Sequence, residues 1–295
     1  MMNCKTADRP IVFENALTID VEDYWSILGR DWLNMPDAKP SDAVLRNTKW
    51  YLQMLNDYNV KATFFILGEV AQSFPQLIKE ITDEGHEIAV HGFYHRQIFK
   101  LSRNEFKKEI SDAKKLLEDL SGQQVTGHRA PAFSINKDTQ WALEVLAELG
   151  FVYDSSISPM AGKRYGWPGF KKEIHRMLLA DGQSIIEVPM STISFFGIRE
   201  LGVGGGYMRH LPYFYTKWAI GHIQKNRPAV IYMHPYEIDT DIIPQKLDNL
   251  TGQEKTAALK FHKLQIRNRQ TVKGKVDKLL SDFKFSTIKD ILRNF

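Results

Sequence analysis

Short apolar runs recur along the chain: ALTIDV from Ala16, ATFFIL from Ala62, EIAVHG from Glu87, FVYDSS from Phe151, IIEVPM from Ile185 and AVIYMH from Ala229. Each is rich in β-branched or aromatic residues and too short for a helix, so each reads as a buried strand. Helical periodicity fills the intervals. The clearest case opens at Ser102 with Glu105 as a capping box, carries Phe106, Ile110, Ala113, Leu117 and Leu120 on one face, and stops at Gly122. Further helices are expected after Ser41, with Val44, Thr48, Tyr51, Leu52 and Leu55 inward, from Pro75 to Gly85, and from an Asn136 cap to Gly150. From about Gly252 onward the pattern is helical and mostly polar.

Strands alternating with helices imply an α/β fold built on parallel βα units, as an open sheet or a closed barrel. In both, functional groups gather where strands end. No repeat or low-complexity linker divides the sequence, so residues 1–295 read as one domain, with a core over 14–240 and a helical C-terminal extension over 241–295.

Composition narrows the class without naming it. The 295 residues are 43% hydrophobic and 25% charged, which excludes disordered, collagenous and disulfide-rich chains. The net charge of +4 arises largely from lysines and arginines near the C-terminus, read as a solvated helical face with no nucleic-acid partner. The single cysteine, Cys4, cannot pair within the chain. The first residues show no secretory or lipoprotein pattern and no run can span a bilayer, so the expected compartment is the cytoplasm.

The residues following the strands carry the chemistry. They are Asp20, Glu22 and Asp23 on the first strand, His91 and His95 on the third, Arg129 on a short segment, Asp154 on the next, and His234 on the last. If the chain turns helically after Gly92, the two histidines of HGFYH share one face and reach one ion. An isolated HxxxH is more often a surface or core pair, but carboxylates at a neighbouring strand end reverse that weighting. Two imidazoles and a carboxylate with open positions suit zinc, or cobalt and nickel. Buried acids need a cation or an arginine nearby. In GHRAPAF, the Ala130–Pro131 step can aim the Ala132 N–H at a developing oxyanion. His234 stands where a general acid would sit. The glycines of GVGGGY, from Gly202, follow no clear strand and do not make a nucleotide loop.

The ordered set IDVED, TFFILG, HGFYH, HRAPAF, YDSSIS and IYMHPYE resembles the polysaccharide deacetylase family with the NodB homology domain, carbohydrate esterase family 4, and most of all its exopolysaccharide-locus branch with a C-terminal extension. The resemblance implies a distorted parallel (β/α) barrel of seven strands. It places the catalytic base on Asp20, the metal ligands on His91, His95 and either Glu22 or Asp23, the base-orienting arginine on Arg129, the general acid on His234 and its supporting carboxylate on Asp154. Glu22 is preferred to Asp23 because it shares a strand face with Asp20. Tyr232 replaces the family's usual leucine, and Arg209 lies in GGGYMRHLPY, another stretch resembling that branch; with Ala132 these are the expected substrate contacts. The implied activity is metal-dependent removal of N-acetyl groups from an acetylated amino-sugar polysaccharide or a lipid-linked oligosaccharide. The competing expectations are a deformylase or another amide hydrolase on the same fold, and a non-catalytic carbohydrate-binding relative.

Overall fold

The computed structural model describes residues 13–33, 35–162, 166–195, 199–241, 251–293 and 295; Cys4 lies outside them. The first half proceeds as β1 (Asn15–Val21), α1 (Tyr24–Trp32), α2 (Asp42–Asp57), β2 (Thr63–Ile66), α3 (Gly68–Ser73), α4 (Pro75–Asp83), β3 (Glu87–Val90), α5 (Arg103–Ser121), β4 (Gly127–His128), α6 (Trp141–Glu148) and β5 (Tyr153–Asp154). It continues with β6 (His175–Leu178), β7 (Ser184–Glu187), β8 (Thr192–Phe195), β9 (Arg199–Gly202), α7 (Gly205–His210), α8 (Tyr213–Ile223) and β10 (Val230–Met233). The chain closes with α9 (Gly252–Ile266), α10 (Val272–Asp282), β11 (Phe285–Ser286) and α11 (Ile288–Leu292).

The main sheet runs in the order β10-β1-β2-β3-β4-β5-β7-β6. Its neighbours are parallel except the β6–β7 hairpin, so seven strands are parallel along this path. The sheet curls into a half-barrel and does not close by strand pairing among the described residues. Ser191 spans the opening: its N–H donates to the Val230 carbonyl at 3.4 Å and its hydroxyl accepts from the Val230 N–H at 2.8 Å.

The period-two alternation of strands decides what faces each side. Leu17, Ile19 and Val21, Phe64 and Ile66, and Ile88 and Val90 join the helices in the large core. Ala16, Phe65 and Ala89, the alternate positions, pack in a second cluster with Tyr153, Ile186, Val230 and Ile288 inside the curl. The same inner face presents Asp20 on β1 and, just past β3, His91. The β1 positions thus separate into a core-forming set and a chemical set.

Several elements differ from expectation for local reasons. The helix expected from Asn136 starts at Trp141, because the Asn136 side chain caps a separate turn, accepting from the N–H groups of Asp138 and Thr139. The extension is not purely helical: β11 pairs with the first residues of β1, and the Ile288 N–H reaches the Thr63 hydroxyl at 2.8 Å. The Lys289 N–H donates to Glu87, whose buried carboxyl also accepts from Thr63 and Tyr153. This segment closes the inner end of the curl opposite the strand ends. Val272, Val276 and Leu279 of α10 lie in the same core as the sheet helices. Leu279→Ala should therefore cost about 2–5 kcal/mol in a single cooperative urea transition; a separate early transition for the extension would contradict this.

Candidate active site

Glu22 follows β1, His91 follows β3, and His95 lies four residues on. Ligand atoms of these three residues lie within 4.8 Å of one another. His95 Nε2 is 2.7 Å and His91 Nε2 3.5 Å from Glu22 Oε2, a buried oxygen with no hydrogen-bond partner. A carboxylate oxygen and two imidazole nitrogens converging without hydrogen-bond geometry is the arrangement a divalent cation would satisfy. His91 Nδ1 is held at 2.9 Å by the Arg129 carbonyl. That partner accepts only, so Nδ1 carries the proton and Nε2 keeps its lone pair for the cluster. Burial opposes ionisation of Glu22, but the interactions with His95, His234 and His91 outweigh it and hold its carboxyl well below the usual range.

The histidine segment is not helical. Gly92 has φ 83° and His95 φ 57°, and the N–H groups of Phe93 and Tyr94 donate to the Glu109 side chain instead of to carbonyls one turn back. Asp23 also departs from expectation. One of its oxygens accepts from the Ser26 N–H at 2.8 Å, capping α1, and the other accepts from the Ser41 hydroxyl at 2.7 Å. The alternative ligand is thereby corrected: Glu22, not Asp23, stands in the three-residue group, because Asp23 is committed to starting a helix.

Asp20 points from the inner face of β1 to Arg129, whose Nη1 donates at 2.6 Å. Arg129 is fully buried and donates also to Thr18 Oγ1, the Ser155 carbonyl and Ser155 Oγ, while its guanidinium lies 4.1 Å from the Phe65 ring centroid. Such a fork leaves Asp20 little rotational freedom. Ala132, just beyond, is on the cavity wall with φ 53° and ψ 29°. A non-glycine residue in this region is strained by about 1–2 kcal/mol, the kind of cost found where backbone is held for function.

His234 follows β10, with Nε2 3.3 Å from Glu22 Oε1 and 4.0 Å from Asp20 Oδ2. Its Nδ1 lies 3.4 Å from Glu237 Oε2, an oxygen that also accepts from the His234 N–H. Burial disfavours the imidazolium, yet Glu22, Glu237 and Asp20 overcome it and raise His234 to about 9. The supporting carboxylate is thus Glu237, and the expectation of Asp154 is corrected. Asp154 accepts instead from His128 Nδ1 at 2.7 Å and from the Ser156 hydroxyl and N–H, beside Glu187 at the far end of the sheet path. The readable signal for Glu237 was its place three residues after His234 in a turn opened by Pro235.

Arg209 does not line the cavity. It is buried behind Glu237, with Nη1 3.5 Å from Oε1, and its Nη2 donates to Gln265 of α9. Tyr232 does line it, its ring edge-on to Phe133 and His234. The glycine run serves this tyrosine: Gly204, at φ 113°, bridges to Tyr232, and a Cβ there would sit 2.6 Å from the Tyr232 carbonyl oxygen. These glycines permit backbone to lie against β10. The whole site opens on a cavity of about 320 Å³ that also takes in Tyr24, Tyr207, Tyr236 and Phe261.

Residues 37–153 match the model of the polysaccharide deacetylase family, and residues 155–293 match that of a domain of unknown function, DUF3473. Residues 37–153 are thus similar to the polysaccharide deacetylase family. Within a curated peptidoglycan-N-acetylglucosamine deacetylase of Bacillus cereus it is 37% identical over 101 residues, 34% of this chain and 37% of that one. With a peptidoglycan deacetylase of Helicobacter pylori it is 30% identical over 106 residues, 36% of this chain and 35% of the relative. The chain therefore spans little more than a third of these relatives. The fold is shared with a Mycobacterium smegmatis protein described as a polysaccharide deacetylase, at TM-score 0.63 and 20% identity over 97% of this chain and 91% of that one. The deacetylase match contributes His91, His95 and Arg129, while His234, Glu237, Arg209 and Phe261 lie in the second match and Asp20 and Glu22 precede both. The site is assembled across these boundaries. In metal-stripped protein the His234 imidazole should titrate near 9 by NMR, and Glu237→Gln should move that midpoint down towards the ordinary histidine value; an unmoved midpoint would remove Glu237 from its supporting role.

Proposed function

We propose that the protein is a metal-dependent hydrolase removing N-acetyl groups from amino-sugar units of a bacterial polysaccharide or its lipid-linked precursor. The observation that carries this reading is one cavity holding an arginine-clamped carboxylate, a three-residue ligand set and a histidine raised to about 9. One curated relative is named a peptidoglycan-N-acetylglucosamine deacetylase and another a peptidoglycan deacetylase, which supports the bond class.

Zinc, or cobalt or nickel, held by Glu22, His91 and His95 would polarise the amide carbonyl and lower the pKa of a water. Asp20 takes the proton of the attacking water, and Arg129 keeps that carboxylate aimed. The N–H of Ala132 is the protein donor for the developing oxyanion. His234, 4.0 Å from Asp20 across the cavity, gives its proton to the departing amine nitrogen, and Glu237 stabilises the charge that the imidazole carries beforehand. Acetate and a free amino sugar leave. Tyr232 and Tyr207 line the cavity and supply aromatic surface suited to sugar packing. Among the described residues no helix is long and apolar enough to cross a membrane; a cytoplasmic site of action, on precursors, is part of the proposal.

The test is acetate release from acetylated glucosamine oligomers, acetylated galactosamine oligomers and lipid-linked acceptors. Asp20→Asn should lower turnover by about 10²–10⁴-fold, and a chelator should abolish it until metal is restored. Full turnover after chelation would end the metal role, and formate in place of acetate would favour the deformylase reading.

A further inference from the structure

The loop carrying His95 is neither helix nor strand, and every bond that shapes it comes from outside. On one side the Gly68 and Glu69 N–H groups donate to the carbonyls of Gly92 and Phe93, both at 3.0 Å. On the other, Glu109 of α5 accepts from the N–H groups of Phe93 and Tyr94 with Oε1, at 3.1 and 3.2 Å. Its second oxygen accepts from Arg96, the residue after His95, through Nε at 2.8 Å and Nη2 at 2.5 Å. Glu109 is buried, while Arg96 is 42% exposed at its side chain. One carboxylate thus fastens residues 93, 94 and 96 around a histidine whose own φ of 57° is unfavourable for a side chain with a Cβ.

We infer that Glu109, together with Arg96, is the positioning pair of the ligand loop, holding His95 in the left-handed conformation that brings Nε2 to Glu22. The physical basis is the unpaired backbone. Without Glu109, two N–H groups in a partly buried loop lose their acceptor, and the loop relaxes to a form in which His95 leaves the three-residue group. Partners that orient metal ligands typically change affinity by about 10–100-fold when removed. This inference rests on the proposed metal reading of Glu22, His91 and His95.

The experiment is zinc affinity of the full chain, by competition with a chromophoric chelator, beside urea unfolding of the same samples. Glu109→Ala is expected to weaken zinc by about 10–100-fold. Glu109→Gln, whose amide oxygen still accepts from both N–H groups but whose NH2 cannot accept from Arg96, is expected to recover part of that affinity. Arg96→Ala, at an exposed position that tolerates truncation, keeps both N–H acceptors, is expected to weaken zinc less than Glu109→Ala, and decides the matter if Glu109→Ala does not fold. The zinc concentration for half-maximal acetate release should rise in the same order. Wild-type zinc affinity in Glu109→Ala or, failing that, in Arg96→Ala overturns the positioning role. A wild-type protein that binds no zinc instead overturns the metal reading beneath it.

Discussion

The fully buried Arg129 guanidinium ties the barrel wall to its chemistry. It carries its charge inside the curl of the sheet, where an unpaired cation would cost several kcal/mol, and breaking such a pair by removing one partner typically costs about 3–5 kcal/mol. Its satisfaction requires β1, through Thr18 and Asp20, the segment after β5, through Ser155, and the ring of Phe65 on β2. Those strands must therefore sit in register before the charge is accommodated. The same constraint holds the Asp20 carboxyl in one orientation. A stability requirement and the proposed catalytic one fall on a single contact, and the Arg129 carbonyl extends it to the tautomer of His91.

The second half of the chain completes what the first half begins. The deacetylase match ends at 153, before the histidine that faces Asp20 across the cavity. Behind that histidine, Glu237, Arg209 and Gln265 form a line of polar contacts running outward from β10 to α9. Tyr24 of α1 meets His262 of α9 at 2.9 Å, and Arg269 lies over the Tyr24 ring. The C-terminal segment therefore shapes one wall of the cavity near the strand ends while β11 and the residues after it close the opposite end. This double use gives a physical reason for the extension to pack against the sheet.

Much of the fold was legible because burial imposes local patterns. The strands from Ala16, Ala62, Glu87 and Ala229 are continuous apolar runs covered on both faces, and the helix from Ser102 has both a reciprocal cap and a left-handed glycine at its end. What escaped notice lacked such patterns. β4 is only two residues long, and β8 with β9 forms a separate hairpin on no periodic background. The loop of His91 and His95 looked helical by spacing, but its backbone amides are claimed by Glu109, sixteen residues away from Phe93.

Strand ends collect polar residues because a chain leaving a buried sheet must change character abruptly, so the sequence alone determined where the main strands lie and Asp20, Glu22, His91, His95, Arg129 and His234 as candidates. Tertiary structure decided their partners. Glu22 and Asp23 are neighbours of the same type, and only the Ser26 N–H and Ser41 hydroxyl separate a helix cap from a ligand. The resemblance pointed to Asp154 as the support for His234, and only the turn after β10 places Glu237 beside that histidine. A carboxylate's role is set by the donors that surround it. Where those donors come from distant segments or from a turn whose geometry is fixed by packing, composition and spacing cannot reveal them.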